Sequence, residues 1–426
     1  MSGTGQLQRQ VGVVGAVVLG LGSIIGTGVF VSVALGAAAA GPAVVLAIVA
    51  AAAVATCNGL SSAQLAAKFP VSGGTYEYGY RLLHPAVGFT AGWLFLLAKS
   101  ASAATAALGF AGYVLGPLQW PEAARVPVAL GLVALLTLLV ASGLRRSNAV
   151  NAAVVGLTLA ALGAFVVSGT PDAVAHAGPH FTPFFTGTWE DFCYATALMF
   201  VAYTGYGRIA TMGEEITEPR RNIPRAMIAT LAVSAALYAA VALVGVGGVG
   251  AAVFAAEASR AAPLRAAAEA MAGRGVALVV AAGAVTAMAG VLLNLLLGLS
   301  RVLLAIGRRG DVPAARRLAA VDERRGPVAA TVVMGVVIAL LVLVGDVKTT
   351  WSFSAFTVLV YYALTNLAAL RLPAADRLYP RAFAWAGLAA CLALAFFVPW
   401  PVWLTGVGLV AAGLGLRAVV HAATTG

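Results

Sequence analysis

Gly22-Ser23-Ile24-Ile25-Gly26-Thr27-Gly28-Val29-Phe30 sits in the middle of an apolar run that extends from Val11 to about Ala39. Three glycines and two hydroxyl residues at the centre of such a run weaken a helix and let the chain unwind, freeing backbone N–H and C=O groups. At bilayer depth, free backbone groups are tolerated only where they line a polar cavity or a bound ligand. The stretch therefore asks for a solute. Exposed amides of Ile24, Thr27 and Gly28 would open the following half-helix, whose positive dipole end suits a carboxylate. The competing reading is a small-residue surface for close helix packing.

The surrounding composition sets the solvent. The chain has 426 residues, of which 61% are hydrophobic and 10% charged. Its mean hydropathy is +0.96. These values place it among all-α, polytopic membrane proteins. The first ten residues are polar and no cleavable leader pattern follows them. Cys57, Cys193 and Cys391 lie far apart in apolar runs, so they read as buried thiols rather than as a disulfide framework or a metal site.

Runs long enough to cross a bilayer begin near Val11, Gly41, Ala86, Arg125, Asn148, Asp191, Arg225, Arg274, Pro327, Thr349, Arg381 and Pro401. That is about 12 transmembrane helices of roughly 20 residues each. With a cytoplasmic N-terminus, one side gathers Arg220, Arg221, Arg225, Arg308, Arg309, Arg316, Arg317, Arg324 and Arg325, among others. The other side carries only Arg125, Arg260, Arg265, Arg274 and Lys348. This asymmetry puts both termini in the cytoplasm. It also accounts for the net charge of +11 through membrane topology and lipid contact, without nucleic acid.

A second interrupted helix falls in the sixth span, at Val201-Ala202-Tyr203-Thr204-Gly205-Tyr206-Gly207-Arg208. Breaks in the first and sixth spans are the signature of inverted-repeat transporters. The implied organisation is a cytoplasmic segment 1–10, a first repeat 11–170 and an outer loop 171–190. A second repeat 191–372 and two appended spans 373–426 complete it.

Three further stretches carry a family resemblance: Phe69-Pro70-Val71-Ser72-Gly73-Gly74-Thr75-Tyr76, Gly213-Glu214-Glu215-Ile216-Thr217-Glu218-Pro219-Arg220-Arg221-Asn222-Ile223-Pro224, and Gly298-Leu299-Ser300-Arg301-Val302-Leu303 with Arg309-Gly310-Asp311-Val312-Pro313. Together with the first motif, and in this order, they resemble the amino acid–polyamine–organocation superfamily. The texture is closest to its cationic-amino-acid-transporter branch and the bacterial amino acid permeases. The resemblance implies a leucine-transporter fold of five plus five inverted helices with broken helices 1 and 6. It implies that Ile24, Thr27 and Gly28 hold a substrate α-carboxylate through backbone N–H groups, and that the carbonyls of Val201, Ala202 and Thr204 accept from the α-ammonium. Val201 stands where the family usually has an aromatic gate, so Phe200 or Tyr203 would take that role. Tyr203 and Tyr206 would shape the side-chain pocket.

All 15 acidic residues fall in loops or at span ends, which leaves no midplane carboxylate for a cationic side chain and points to a small neutral amino acid. Lys99 lies near the centre of the third span, where an uncompensated lysine costs about 2.5–3.5 kcal/mol, so it should face the cavity. Loss of water disfavours its charged form, which would let it exchange protons during transport. In proton-coupled relatives a fifth-span lysine fills the place of a sodium ion; the resemblance puts Thr158 at the matching position here, so that Lys99 would replace it from another helix, the competing reading being a snorkelling or helix-packing lysine. Sodium coupling stays open through carbonyls near Gly22 and Ile25 with hydroxyls of Thr158 and the eighth span, which offers Thr286, Asn294 and Ser300. Asn294 reads equally as an interhelical hydrogen bonder or a substrate or ion contact. Arg208 and Arg301 read as gate partners of the Glu214–Glu218 cluster or as contacts to lipid headgroups, rather than as substrate ligands. His176 and His180, four apart with Asp172, are a weak metal signal.

No nucleophile–base constellation lies at membrane depth, so an enzyme is disfavoured. Nothing resembles a phosphate-binding loop, and no ATP or other cofactor is implied. The expectation is a proton-coupled amino acid symporter of the cytoplasmic membrane working by alternating access. The alternatives are an uncoupled or sodium-coupled exchanger or exporter, or a sensor that binds without transporting. The sequence carries no signal of oligomeric state.

Overall fold

The computed structural model describes residues 11–69, 73–143, 148–211, 216–256, 262–322 and 325–425. Arg145, Arg146, Glu214 and Glu215 therefore lie outside the described residues, as do Glu257, Arg260 and the Pro70–Ser72 part of the second motif. The described residues are mostly helical, with no strand among them. The first span is broken: α1 (Val13–Ile24) stops at Ile25, a π-helical turn covers Gly28–Ser32, and α2 (Val33–Ala40) completes the crossing. At 12 residues, α1 rises only about 18 Å, short of the ~30 Å hydrocarbon core. Both halves are needed.

The second span is α3 (Val44–Lys68), followed by a short amphipathic helix α4 (Thr75–Leu82). The third is α5 (Pro85–Leu118), started by proline at its first position and by the His84 ring, which accepts from the Ala86 amide at 3.2 Å. Spans four and five are α6 (Arg125–Ala141) and α7 (Asn148–His180). The helix α7 continues through Pro171 to His180, into the segment 171–190 that the sequence reads as loop.

The sixth span begins with a reciprocal cap between Thr188 and Asp191, runs as α8 (Trp189–Tyr203), tightens to a 3-10 turn at Thr204–Tyr206 and resumes as α9 (Gly207–Thr211). Next come α10 (Pro219–Val249), α11 (Ala251–Ala256) and α12 (Pro263–Arg308). Inside α12, Gly273 leaves helical geometry at φ 79°, so the eighth span proper starts at Arg274. The rest are α13 (Ala315–Leu318), α14 (Val328–Val342), α15 (Val347–Leu370), α16 (Arg381–Ala395) and α17 (Trp400–Thr425). Among the described residues, eight helical stretches are each long and apolar enough to cross a membrane; α1, α14 and α16 are shorter apolar helices.

The packing carries an internal symmetry that the sequence does not display. Exchanging spans one to five for six to ten maps the α3–α10, α5–α12 and α6–α14 pairs onto themselves. The same exchange turns α1–α7 into α8–α15, α7–α12 into α15–α5, and α7–α10 into α15–α3. Each of these packings is present. This is the inverted five-plus-five arrangement of the leucine-transporter fold, with the two broken helices at its centre. The helix α16 packs on α15 and α3, and α17 on α15 and α5.

Candidate substrate site

The breaks in the first and sixth spans face one another. Gly205 lies directly against the Ser23 carbonyl, leaving no room for a Cβ. A Cβ on Gly28 would fall 2.7 Å from the Ala202 side chain and 2.9 Å from the Tyr238 hydroxyl. Glycine is used at these positions because two backbones meet there. Tyr238, on α10, bridges the breaks: its hydroxyl lies 3.0 Å from the Ile24 carbonyl and 3.1 Å from the Ala202 carbonyl. The helical ladder is interrupted accordingly. The Ile25 amide closes α1 on Leu21 O, whereas the Val29 and Phe30 amides both reach back to Gly26 O. The amides of Gly26, Thr27 and Gly28 fall between these sets, at the dipole-positive start of the second half-helix.

A cavity of about 680 Å³ runs from these breaks to the arginine-rich end of the bundle. Its walls include Ile24, Thr27, Gly28, Val201, Ala202 and Thr204, together with Lys99 and Asn294. Eight of the sequence-derived candidates thus share one space. The buried Thr27 hydroxyl has no hydrogen-bond partner, an orphaned polar atom in the cavity wall of the kind a bound solute satisfies. Lys99 is buried, and its Nζ donates to Thr204 Oγ1 at 2.8 Å; that hydroxyl in turn donates to Val201 O at 2.7 Å. Among the described residues no carboxylate pairs with Lys99. The amide of Asn294 donates to Gly22 O at 3.3 Å, so it ties the eighth span to the first break.

Four candidates lie elsewhere. Phe200, Tyr203 and Tyr206 follow one another at three-residue spacing, are fully buried and do not line the cavity. Phe200 and Tyr206 pack on Tyr362, with ring centroids 5.7 and 5.5 Å apart, and Tyr203 packs on Tyr238 at 5.1 Å. They back the break rather than form its pocket. The aromatic wall comes instead from Phe95, Trp351, Tyr361 and Tyr362, on α5 and α15. Thr158 is buried against its own helix, with its hydroxyl on Val154 O at 2.7 Å, and does not reach the cavity. Thr286 and Ser300 likewise bond their own helix.

At the wide end the lining turns charged, with Arg208, Arg301, Arg308 and Arg309 together with Glu77 of α4. Glu77 is the only carboxylate named among the lining residues, and it pairs with Arg309 at 2.6 Å and Arg81 at 3.3 Å. Of the expected acidic gate cluster, Glu214 and Glu215 are outside the described residues, and Glu218 pairs with Arg221 at 3.7 Å. His176 and His180 stack on α7 at 5.6 Å, bonding backbone carbonyls of Asp172 and Gly247. No group of three or more metal-ligating side chains occurs among the described residues.

Comparison with known proteins is consistent with this geometry. The family model described as "Amino acid permease" matches residues 15–424. An uncharacterized transporter of Mycobacterium tuberculosis is 40% identical over 420 residues, covering 98% of this chain and 91% of that protein. A branched-chain amino acid permease of Bacillus subtilis is 30% identical over 332 residues, covering 73% of this chain and 70% of that one. Among solved structures, a mutant manganese transporter of Eremococcus coleocola superposes with a TM-score of 0.65 at 14% identity, covering 95% of this chain and 92% of that one. That likeness bears on the fold alone.

Proposed function

The chain belongs to the amino acid permease family, and from that premise we propose that it carries small neutral amino acids across the cytoplasmic membrane by alternating access, with the proton as coupling ion. The observation that carries this reading is the meeting of two broken helices on one cavity, with Lys99 at their junction. A zwitterion needs donors at one end and acceptors at the other. The amides of Thr27 and Gly28 and the free Thr27 hydroxyl would take the carboxylate, whereas Ile24, also expected to donate its amide, ends α1 and lines the cavity beside them. The carbonyls of Ala202 and Thr204 would take the ammonium through a remaining lone pair, and that of Val201, which already accepts from the Thr204 amide and hydroxyl, would join them as the hydroxyl turns away. No formal charge is needed for either contact.

Three features favour a neutral side chain. Glu77 sits at the mouth and is already engaged by Arg81 and Arg309. Lys99 and four arginines make the cavity positive, which repels lysine and arginine. The walls beyond the breaks are apolar or aromatic. Proton rather than sodium coupling is favoured because Asn294 occupies the Gly22 carbonyl and Thr158 stands off the cavity. The Lys99 ammonium shares the Thr204 hydroxyl beside the ammonium acceptors, so occupancy of the site and protonation of Lys99 influence each other. In this reading the halves 11–170 and 191–372 rock about the site, 171–190 links them and 373–426 braces them. Both termini lie on the cytoplasmic side, where the cavity opens.

A larger aliphatic substrate is the second reading, favoured by the branched-chain relative. Labelled-alanine uptake into proteoliposomes separates these ideas when driven in turn by a proton gradient, a sodium gradient and internal alanine, with valine, isoleucine and arginine as competitors. Proton-driven uptake blocked by neutral competitors alone supports the proposal. Valine and isoleucine outcompeting alanine would enlarge the substrate, arginine preference would defeat the neutral assignment, and sodium-only uptake would defeat the coupling.

A further inference from the structure

A second polar cluster lies at the cavity's wide end, outside the substrate site. Asp311 follows Gly310, whose φ of 74° turns the chain after α12, and its side chain is 1% exposed. Its carboxylate accepts from the Tyr80 hydroxyl, from Tyr76 Oη at 3.2 Å, from Arg417 Nε at 2.8 Å and from His421 Nε2 at 3.1 Å. Burial by itself would push the carboxyl up, but hydrogen bonds from Tyr80, Arg417 and His421 outweigh it and hold the group below the usual carboxylate range. Burial and the same carboxylate push Tyr80 up to about 12, so it stays a donor.

The donors come from two elements that do not otherwise share a role. Tyr76 and Tyr80 belong to α4, whose Thr75, Glu77 and Tyr78 line the substrate cavity. Arg417 and His421 belong to α17, which packs on α5 and α15 and supplies no cavity residue. Next to them Arg309 pairs with Glu77 and lies 4.2 Å over the Tyr80 ring. A buried carboxylate that must be compensated is satisfied by tying the helix at the mouth to the last span.

We propose that Asp311, Arg417 and His421 form a positioning assembly that holds α4 at the cavity mouth, and that the His421 contact makes turnover depend on pH at that side of the membrane. The inference rests on the transporter reading for its functional half and on geometry for the rest. Histidine changes charge between pH 5 and 8. His421 meets Asp311, and the charged and titratable groups gathered on that carboxylate are Arg417 one turn earlier on the same helix and Tyr76 and Tyr80 on α4, with Arg309 over the Tyr80 ring; α5 contributes the Phe89 ring under Arg417 at 5.7 Å. Protonated, His421 adds a second cation to Asp311; neutral, it leaves a hydrogen bond. Acid on this side therefore tightens the latch in the conformation open at this end, and a cycle that must leave that conformation slows.

The test is alanine exchange in proteoliposomes at pH 5.5 and 8, together with hydrogen exchange of residues 75–82 corrected for intrinsic rates. The wild type is expected to exchange several-fold more slowly at pH 5.5 and to protect α4 more there. His421→Gln should lose both differences, whereas His421→Arg should be slow and protected at both pH values. Asp311→Asn should lose protection of α4 at both, with His421→Gln retaining the test if that variant does not fold. Equal pH responses of wild type and His421→Gln in both measurements would overturn the proposal. If alanine exchange is absent in every variant while the protection pattern holds, the transporter reading has failed and the latch stands.

Discussion

Lys99 is the residue on which most depends. A buried lysine that donates to a neutral hydroxyl, Thr204 Oγ1 at 2.8 Å, with no carboxylate paired to it among the described residues, is a stability cost that a purely structural position would shed. Lys99→Met should therefore raise the melting temperature in detergent while abolishing the response of uptake to an imposed proton gradient and lowering its rate at least about tenfold, in line with the trade-off between stability and activity. A destabilised variant with unaltered uptake would mark Lys99 as structural. Gly205→Ala tests the junction itself: its methyl group would strike the Ser23 carbonyl, and overpacking of this kind costs about 1–3 kcal/mol. Weakened alanine-dependent thermal stabilisation is the expected result. Sequence made Lys99 legible because a charge in an apolar run has few places to go. Its contact with Thr204 was not legible, since it joins positions 105 apart in the chain. Phe200, Tyr203 and Tyr206 were recognisable as special but not as to side, because a three-residue spacing fixes a shared face and not what that face meets. Asp311 went unread for a related reason: a loop aspartate in sequence looks solvated until α4 and α17 are seen to bury it.

At the scale of elements, the two broken helices work only if their ends stay in register. Tyr238 on α10 holds that register by reaching both the Ile24 and Ala202 carbonyls. Tyr238→Phe keeps the ring against Tyr203 and removes only the hydroxyl, which a hydrogen-bond deletion prices at about 0.5–1.5 kcal/mol. The fold should survive, with alanine affinity reduced several-fold in a thermal-shift titration; unchanged affinity would mean that the breaks are held by packing alone. The spans themselves were readable because twenty apolar residues have one use in a bilayer. The eighth span begins at Arg274, as its sequence suggests, for Gly273 breaks the helix there. Two elements were not readable. The helix α4 is short, and the tyrosines it buries, Tyr76 and Tyr78, sit among polar and charged residues that read as loop. The helix α7 runs ten residues past the point where Pro171 suggested an end, because a proline removes one donor without forbidding a helix whose neighbours support it.

Across the whole molecule, one end of the cavity is held by charge and the other by small hydrogen bonds. At the closed end Tyr113 Oη donates to Phe30 O at 2.7 Å and accepts from the Leu264 amide at 3.2 Å, joining the first and third spans to the helical segment that precedes the eighth. Trp351 Nε1 donates to Leu198 O at 3.0 Å, and hydroxyl pairs Ser102–Ser354 and Thr105–Thr350 lace α5 to α15 at 2.7 and 2.8 Å. Each bond contributes about 0.5–1.5 kcal/mol, so the seal amounts to a few kcal/mol, the size of gap that lets a minor conformation be populated. This arithmetic is invisible in sequence, where the hydroxyls of α5 and α15 look like ordinary small residues, just as the repeat shows in packing and not in residue identity. It makes a prediction about accessibility. In a background lacking Cys57, Cys193 and Cys391, a Leu295→Cys reporter in the cavity wall should react with an impermeant maleimide added on the side of Arg308 and Arg309, and hardly from the other side. Tyr113→Phe removes the donor to Phe30 and should admit label from the sealed side at several times the parental rate, with saturating alanine altering the ratio of the two. Labelling from both sides without the Tyr113 change would mean that the seal is not what separates the two faces.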